Sequence, residues 1–448
     1  MQLFPQSFHW GAATSSYQIE GAAFADGKGK CIWDTFVEQD GAIQDGTDGR
    51  VACDHYTYYR DDVKLLKELN FSHYRFSVNW ARIMPDGKDR VNEAGLDFYK
   101  RLINTLNEQH ITPMLTLYHW ELPQQLEDEG GWLNRDTAYY FAEYAERVFR
   151  EFSAEVPYWI TQNEPWVASR LGYGEGVHAP GKKGLNHFLT AAHHLLLSHG
   201  LATERLRAMK QTEQQTGIAL NLSSHYPADD RLSSQEAATR ADGFLNRWFL
   251  DPVYKGTYPK DMLTIYEKQT DLSFLQQGDL EQIQQPIDFL GINYYSSDFV
   301  ESSPVTTENP TGSKPVQTSL PKTAMEWDVY PDGLYDLLVR VTNDYGKQPL
   351  YVSENGAAYR DEVVGGEVND EQRADYLDQH LQSCLRAIQS GVDLRGYYVW
   401  SFLDNFEWAY GLSKRFGVVH IDFTTLKRTP KQSAYWLQAF IASQRVHS

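Results

Sequence analysis

Short apolar runs rich in β-branched and aromatic residues recur along this chain, and between them lie stretches whose apolar positions fall three and four apart. The first pattern predicts buried strands and the second amphipathic helices. Eight strands are predicted, over 10–15, 73–80, 112–119, 159–164, 217–222, 287–295, 350–354 and 396–401. Segments 60–69, 96–106 and 370–381 are among the helices between them. Strands separated by helices need crossover connections, which makes the sheet parallel, and eight such units predict an α/β chain closed into a (β/α)8 TIM barrel. No linker interrupts the rhythm, so residues 1–448 are expected to form one domain with elaborated loops at the C-terminal face of the strands. The turn formers of 302–315 directly follow the sixth predicted strand and are expected to wall a site.

Composition narrows the partners. With 42% hydrophobic and 14% aromatic residues the chain can bury a large core, and its net charge of −19 disfavours nucleic acid and anionic membrane surfaces. No run is long enough to span a bilayer, and Cys31, Cys53 and Cys384 show neither metal-ligand nor disulfide spacing. A reduced cytoplasm, a small-molecule substrate and no cofactor or metal are therefore expected, with homo-oligomerisation left open.

A barrel brings the strand ends to one mouth, and most of the predicted ends carry polar or aromatic groups. Gln18 and Glu20 lie just past the first strand, Arg75 within the second, His119 and Trp120 after the third, and Asn163 with Glu164 at the fourth. Asn293 and Tyr295 end the sixth strand, Glu354 the seventh and Trp400 the eighth, with Asp404, Asn405, Glu407 and Trp408 in the loop beyond. Two glutamates, each beside an asparagine at the end of a buried run, suggest paired carboxylate chemistry. Hydrogen-bonding side chains around aromatic platforms match a sugar ring, which has hydroxyls at its edge and C–H patches on its faces. That inventory suits glycoside hydrolysis.

Other motifs have plainer readings. Adjacent His193 and His194 on a helix point to different sides and do not predict a metal site; 172–176 reads as a loop turn; Glu127 to Glu129 and Asp361 with Glu362 read as solvated acidic faces.

Thr161-Gln-Asn-Glu164-Pro and Ser353-Glu354-Asn-Gly356 resemble the TxNEP and TENG motifs of glycoside hydrolase family 1, the β-glucosidase family. The likeness extends through 8–21, 74–80, 117–120, 291–295 and 401–408, nearly end to end. It implies that Glu164 is the general acid/base and Glu354 the nucleophile of a retaining mechanism. It further implies that Gln18, His119, Asn163, Glu407 and Trp408 hydrogen-bond the non-reducing sugar, that Trp400 lies beneath its ring, and that Trp120 belongs to the same binding group. Arg75, Asn293 and Tyr295 match residues around the nucleophile, and Trp327 the aromatic wall of the leaving-group site. Ser353 replaces the usual threonine and keeps its hydroxyl.

Arg75 and Tyr295 are expected to keep Glu354 ionised, and the charge of Glu354 to raise the proton affinity of Glu164. The implied substrates are terminal β-D-glucosyl residues of cello-oligosaccharides such as cellobiose and of aryl or alkyl β-glucosides. A 6-phospho-β-glycosidase and a relative leaning to β-galactosides or β-fucosides are the alternatives. Glu407 would accept bonds from free O4 and O6 hydroxyls and repel a sugar phosphate, whereas nearby Lys414 and Arg415 favour the phosphate reading.

Overall fold

Eight parallel strands close on themselves in chain order in the computed structural model, which describes residues 3–306 and 308–445. They are His9–Ala13, His73–Ser77, Thr112–Tyr118, Tyr158–Asn163, Gln215–Asn221, Phe289–Asn293, Leu350–Asn355 and Leu394–Trp400. Each predicted strand therefore exists, with ends displaced by a few residues. Helix Glu93–Glu108 contains predicted segment 96–106, whereas His55–Glu68 and Glu371–Gln389 cover 60–69 and 370–381 except for the caps Leu69 and Asp370, and all three helices start earlier or end later than predicted.

The core divides into two layers, as alternation along a barrel strand requires. Side chains pointing outward pack against the helices, and those pointing inward fill the lumen. Ala13, Met114, Ile160, Ala219, Phe289, Tyr351 and Tyr398 form the inner plug. Strand residue Gly11 is part of that packing, because a Cβ there would come within 2.2 Å of the Tyr398 ring. The lumen is thus closed below the strand ends, and chemistry is confined to the upper mouth.

Outside the barrel, His225–Pro227, Asp298–Ser302 and Ser313–Pro315 form a small side sheet. The segment read as turn formers therefore ends in a hairpin strand, with Val300 opposite Pro315. Its composition hid this, since Ser, Thr, Gly and Pro signal turns but a short edge strand also accepts them. Segment Arg170–Glu175 forms a π-helical turn where a loop turn was expected.

Two acidic segments depart from the solvated faces expected of them. Glu127 is buried, accepting from the Tyr173 hydroxyl and pairing with Lys182 at 2.5 Å. The Asp361 side chain is 1% exposed and pairs with Arg373 and Lys431. Local sequence shows the charge but not the distant cation that covers it. His193 and His194 diverge as expected, one toward Tyr258 and Asp279, the other toward the carbonyl of Trp132.

Gly356, one residue past the seventh strand, lies directly against the end of the eighth: a Cβ at this position would lie 1.6 Å from the Trp400 carbonyl oxygen. Backbone must shift to admit a methyl group. Gly356→Ala is expected to lower Tm and to reduce kcat/KM about a hundredfold, the scale of a misplacement near 1 Å. Retained activity in a variant with normal Tm would show that the approach is not required.

Candidate active site

Both glutamates sit where the barrel ladder gains a residue. On the fourth strand Ile160 faces Gly217 and Asn163 faces Ala219, so three residues advance against two. On the seventh, Val352 faces Ile292 and Glu354 faces Asn293, two against one. Such bulges re-aim the side chains that follow them. Glu164 then leaves the strand with φ 50°, a left-handed conformation unusual for a residue with a Cβ, and Pro165 starts the next helix. Trp120 and Trp408 share that conformation, with φ 86° and 48°.

Arg75 organises the floor. Its Nη1 donates to Glu354 Oε1 at 2.5 Å and its Nη2 to Asn163 Oδ1 at 2.6 Å, with the whole side chain buried. Tyr295 donates to Glu354 Oε2 at 2.5 Å. Asn293 Nδ2 donates to Glu164 Oε1 at 2.7 Å and to Asn163 Oδ1 at 3.0 Å, while its own Oδ1 accepts from Ser353 Oγ at 2.6 Å. The hydroxyl at Ser353 is thus in use.

This network fixes a tautomer. A guanidinium can only donate, so Asn163 must turn its oxygen to Arg75 and its amide nitrogen to His119 Nε2, 3.2 Å away. Nε2 therefore accepts, and the imidazole proton resides on Nδ1, which has no partner among the described residues. Burial, with Arg75 nearby, lowers the His119 pKa well below the usual imidazole range, so the ring is a neutral donor.

The two carboxyls are unequal. Burial, then the charge of Glu354, raises Glu164 well above the ordinary carboxyl range, and only the Asn293 amide and more distant Arg75 oppose this. Glu354 is also raised by burial, but Arg75 and Tyr295 pull it back. The proton of the pair belongs on Glu164 and the charge on Glu354. The charge of Glu354 raises Glu164, and Arg75 with Tyr295 favours the ionised Glu354, both in the expected direction; burial is the further and larger cause, and it raises both carboxyls. A strand sequence does not reveal how completely its end is desolvated.

Above this floor opens a cavity of about 610 Å³. His119, Trp120, Glu164, Asn293, Tyr295, Trp327, Glu354, Trp400, Glu407 and Trp408 line it. Trp400 and Trp408 flank His119, with ring centroids 5.7 and 6.1 Å from the imidazole, and Trp327 stands 5.5 Å from Tyr295. Arg75, Asn163 and Gln18 adjoin the lining at Glu354, His119 and Glu407 respectively. Gln18 Nε2 donates to Asn405 Oδ1 at 3.0 Å and the Phe406 carbonyl at 2.9 Å, and lies 3.5 Å from Glu407 Oε2. Burial and the charge of Glu354 push Glu407 up to about 8.

Two strand-end acids expected at the mouth turn away from it. Glu20 pairs with Arg82 at 2.9 Å and accepts from Tyr99, and Asp404 pairs with Lys431 at 2.7 Å. Sequence reading also missed Trp166, His178, Asn221 and Phe299, which line the outer cavity. Asn221 ends the fifth strand and Trp166 follows Glu164 by two residues, so strand-end position was an available signal. Lys414 is engaged by the Ala324 carbonyl at 2.6 Å and Arg415 by Asp404 at 2.6 Å, which leaves the phosphate alternative without a free basic cluster here. No group of three metal-ligating side chains and no helix long and apolar enough to cross a membrane occurs among the described residues.

A barrel whose mouth joins a buried carboxyl pair to a tryptophan-lined cavity is a glycosidase architecture. Residues 1–446 match the family model for glycosyl hydrolase family 1, and the chain belongs to that family. It is 50% identical over 440 residues to beta-glucosidase A of Acetivibrio thermocellus, covering 98% of both chains. To a 1,4-beta-D-glucan glucohydrolase of Thermotoga neapolitana it is 45% identical over 438 residues, covering 97% of each. Among solved structures, a psychrophilic beta-glucosidase from Micrococcus antarcticus superposes with a TM-score of 0.96 at 45% identity, covering 99% of this chain and 98% of the other. The Thermotoga maritima beta-glucosidase in complex with glucoimidazole gives 0.95 at 43% identity, covering 99% of each.

Glu407 adds to the pressure that keeps Glu164 protonated. In the kcat/KM profile the alkaline limb follows loss of the Glu164 proton, and a neighbouring negative charge delays that loss. Above about pH 8, where Glu407 is ionised, Glu407→Gln removes that charge, so the limb is expected to move to lower pH even as overall activity falls. A limb that stays in place or rises would contradict the coupling.

Proposed function

We propose that this enzyme is a retaining β-glucosidase, with residues 1–448 acting as one glycosidase domain that removes terminal β-D-glucosyl residues from cello-oligosaccharides and from aryl or alkyl β-glucosides. The observation that carries the reading is the unequal pair: Glu354 held by a guanidinium and a phenol, Glu164 by a carboxamide. Asn293 bonds Glu164 and is the cross-strand partner of Glu354, which supports the short separation, about 5–5.5 Å, used for direct attack.

In the first step Glu354 attacks the anomeric carbon while Glu164 gives its proton to the departing oxygen, leaving a glucosyl ester on Glu354. Ester formation removes the charge on Glu354. The proton affinity of Glu164 falls accordingly, and it takes a proton from water as that water attacks the same carbon from the face vacated by the leaving group. Two inversions give net retention. Tyr295 and Arg75, both bonded to Glu354, hold its two oxygens in place for attack and for departure.

The sugar is held by the neutral donor at His119 Nδ1, by Gln18, Asn163 and Glu407, and by stacking on Trp400, with Trp408 and Trp120 closing the pocket side. Trp327 walls the aglycone. Glucose rather than a phosphorylated sugar is supported by the acidic Glu407 and by the engaged side chains of Lys414 and Arg415. The beta-glucosidase names of relatives at up to 50% identity support the same choice.

Glu354→Ala is expected to lower hydrolysis of an aryl β-glucoside by at least ~10³-fold. Added azide, small enough to occupy the space of the lost carboxylate, is expected to restore turnover and yield the α-glucosyl azide. Proton magnetic resonance of the product distinguishes the anomers, and a β product would refute Glu354 as nucleophile.

A further inference from the structure

Behind the loop that carries Glu407 lies a cluster of charged side chains for which the reaction has no direct use. Lys431, wholly buried, donates to Asp404 Oδ1 at 2.7 Å and Asp361 Oδ2 at 2.5 Å. Arg373, equally buried, pairs with Asp361 at 2.8 Å and with Asp370. Arg415 completes the group, donating to Asp404 Oδ2 at 2.6 Å. Three cations and three carboxylates balance, although the six residues come from four separate parts of the chain: the loop after Glu354, the helix Glu371–Gln389 and its N-cap Asp370, the loop after Trp400, and the segment leading into the last helix.

Burying five of these charges beneath the half-buried Arg415 is costly, and apolar packing would hold these elements together at least as well. What an ion network adds is register, since each carboxylate accepts in fixed directions. The directions here lead to the active site on two sides. Arg373 Nε donates to the carbonyl of Ala357, three residues past Glu354. Asp404, held by Lys431, Arg415 and the Gly417 amide, immediately precedes Asn405 and Phe406, whose oxygens take the Gln18 amide, and then Glu407. A shift of Asp404 moves that backbone and takes Gln18 and Glu407 with it.

We propose that Lys431 is a positioning residue for sugar recognition: through Asp404 it sets the height and orientation of the Asn405–Trp408 segment over the sugar, while Arg373 anchors the same network to the backbone beyond Glu354. The proposal rests on the reading of Glu407 as the acceptor for the O4 and O6 hydroxyls. Lys431 touches no substrate. Its influence is on the edge of the ring that Glu407 reads, and a sugar lacking the C6 hydroxymethyl group should feel it less.

The test compares nitrophenyl β-D-glucoside with nitrophenyl β-D-xyloside in Lys431→Met and in Arg415→Gln, with Tm measured for both variants. Arg415, 22% exposed at the rim of the network, gives a milder lesion that tests the idea even where removing Lys431 prevents folding. The preference in kcat/KM for glucoside over xyloside is expected to fall about fivefold or more in the folded variants, chiefly through a higher KM for the glucoside. A lower Tm with the preference unchanged would reduce the network to a structural clamp and overturn the proposal. Glu407→Ala is the control: if it leaves the preference intact, the O4/O6 reading fails; if it lowers the preference while the network variants do not, only the positioning role fails.

Discussion

One buried guanidinium faces three carboxyls, and the active site is arranged around that shortage of positive charge. Arg75 bonds Glu354 directly and reaches Glu164 only at longer range, while Glu407 has an amide for company. Buried carboxyls without a cation keep their protons. Placing the guanidinium against Glu354 therefore distributes the protons among all three before any substrate arrives, and it does so with side chains from the second, fourth, seventh and eighth strands and their loops.

The same guanidinium orders the neutral groups. Because Arg75 can only donate, it fixes the Asn163 amide, which fixes the His119 tautomer and leaves Nδ1–H without an acceptor among the described residues. Charge and hydrogen-bond polarity are thus set by one residue, and they agree. A site in which the carboxyl pair and the sugar-binding donors were specified independently would need each to be held separately; here a shift of Arg75 would disturb both.

Much of this was legible in the chain. Eight buried runs separated by amphipathic helices call for a parallel sheet, since each crossover needs a helix and each strand two covered faces, and their number pointed to closure into a barrel. The motifs at 161–165 and 353–356 located both glutamates at strand ends, and barrel geometry then required a common mouth. Glu20 and Asp404 show where such reasoning stops. Both stand at suitable positions in the sequence, yet Arg82 and Lys431 draw them away from the cavity.

Sequence by itself therefore determined the strands, their order, and the residues available at the mouth, because these follow from periodicity and from the alternation of faces along each strand. Tertiary structure decided which of those residues face the cavity, because that depends on partners distant in sequence, 70 positions apart for Asp361 and Lys431 and 387 for Gln18 and Asn405. It also decided the protonation order. Burial, the largest influence on Glu164, Glu354 and Glu407 alike, is a property of the assembled barrel and of no single segment.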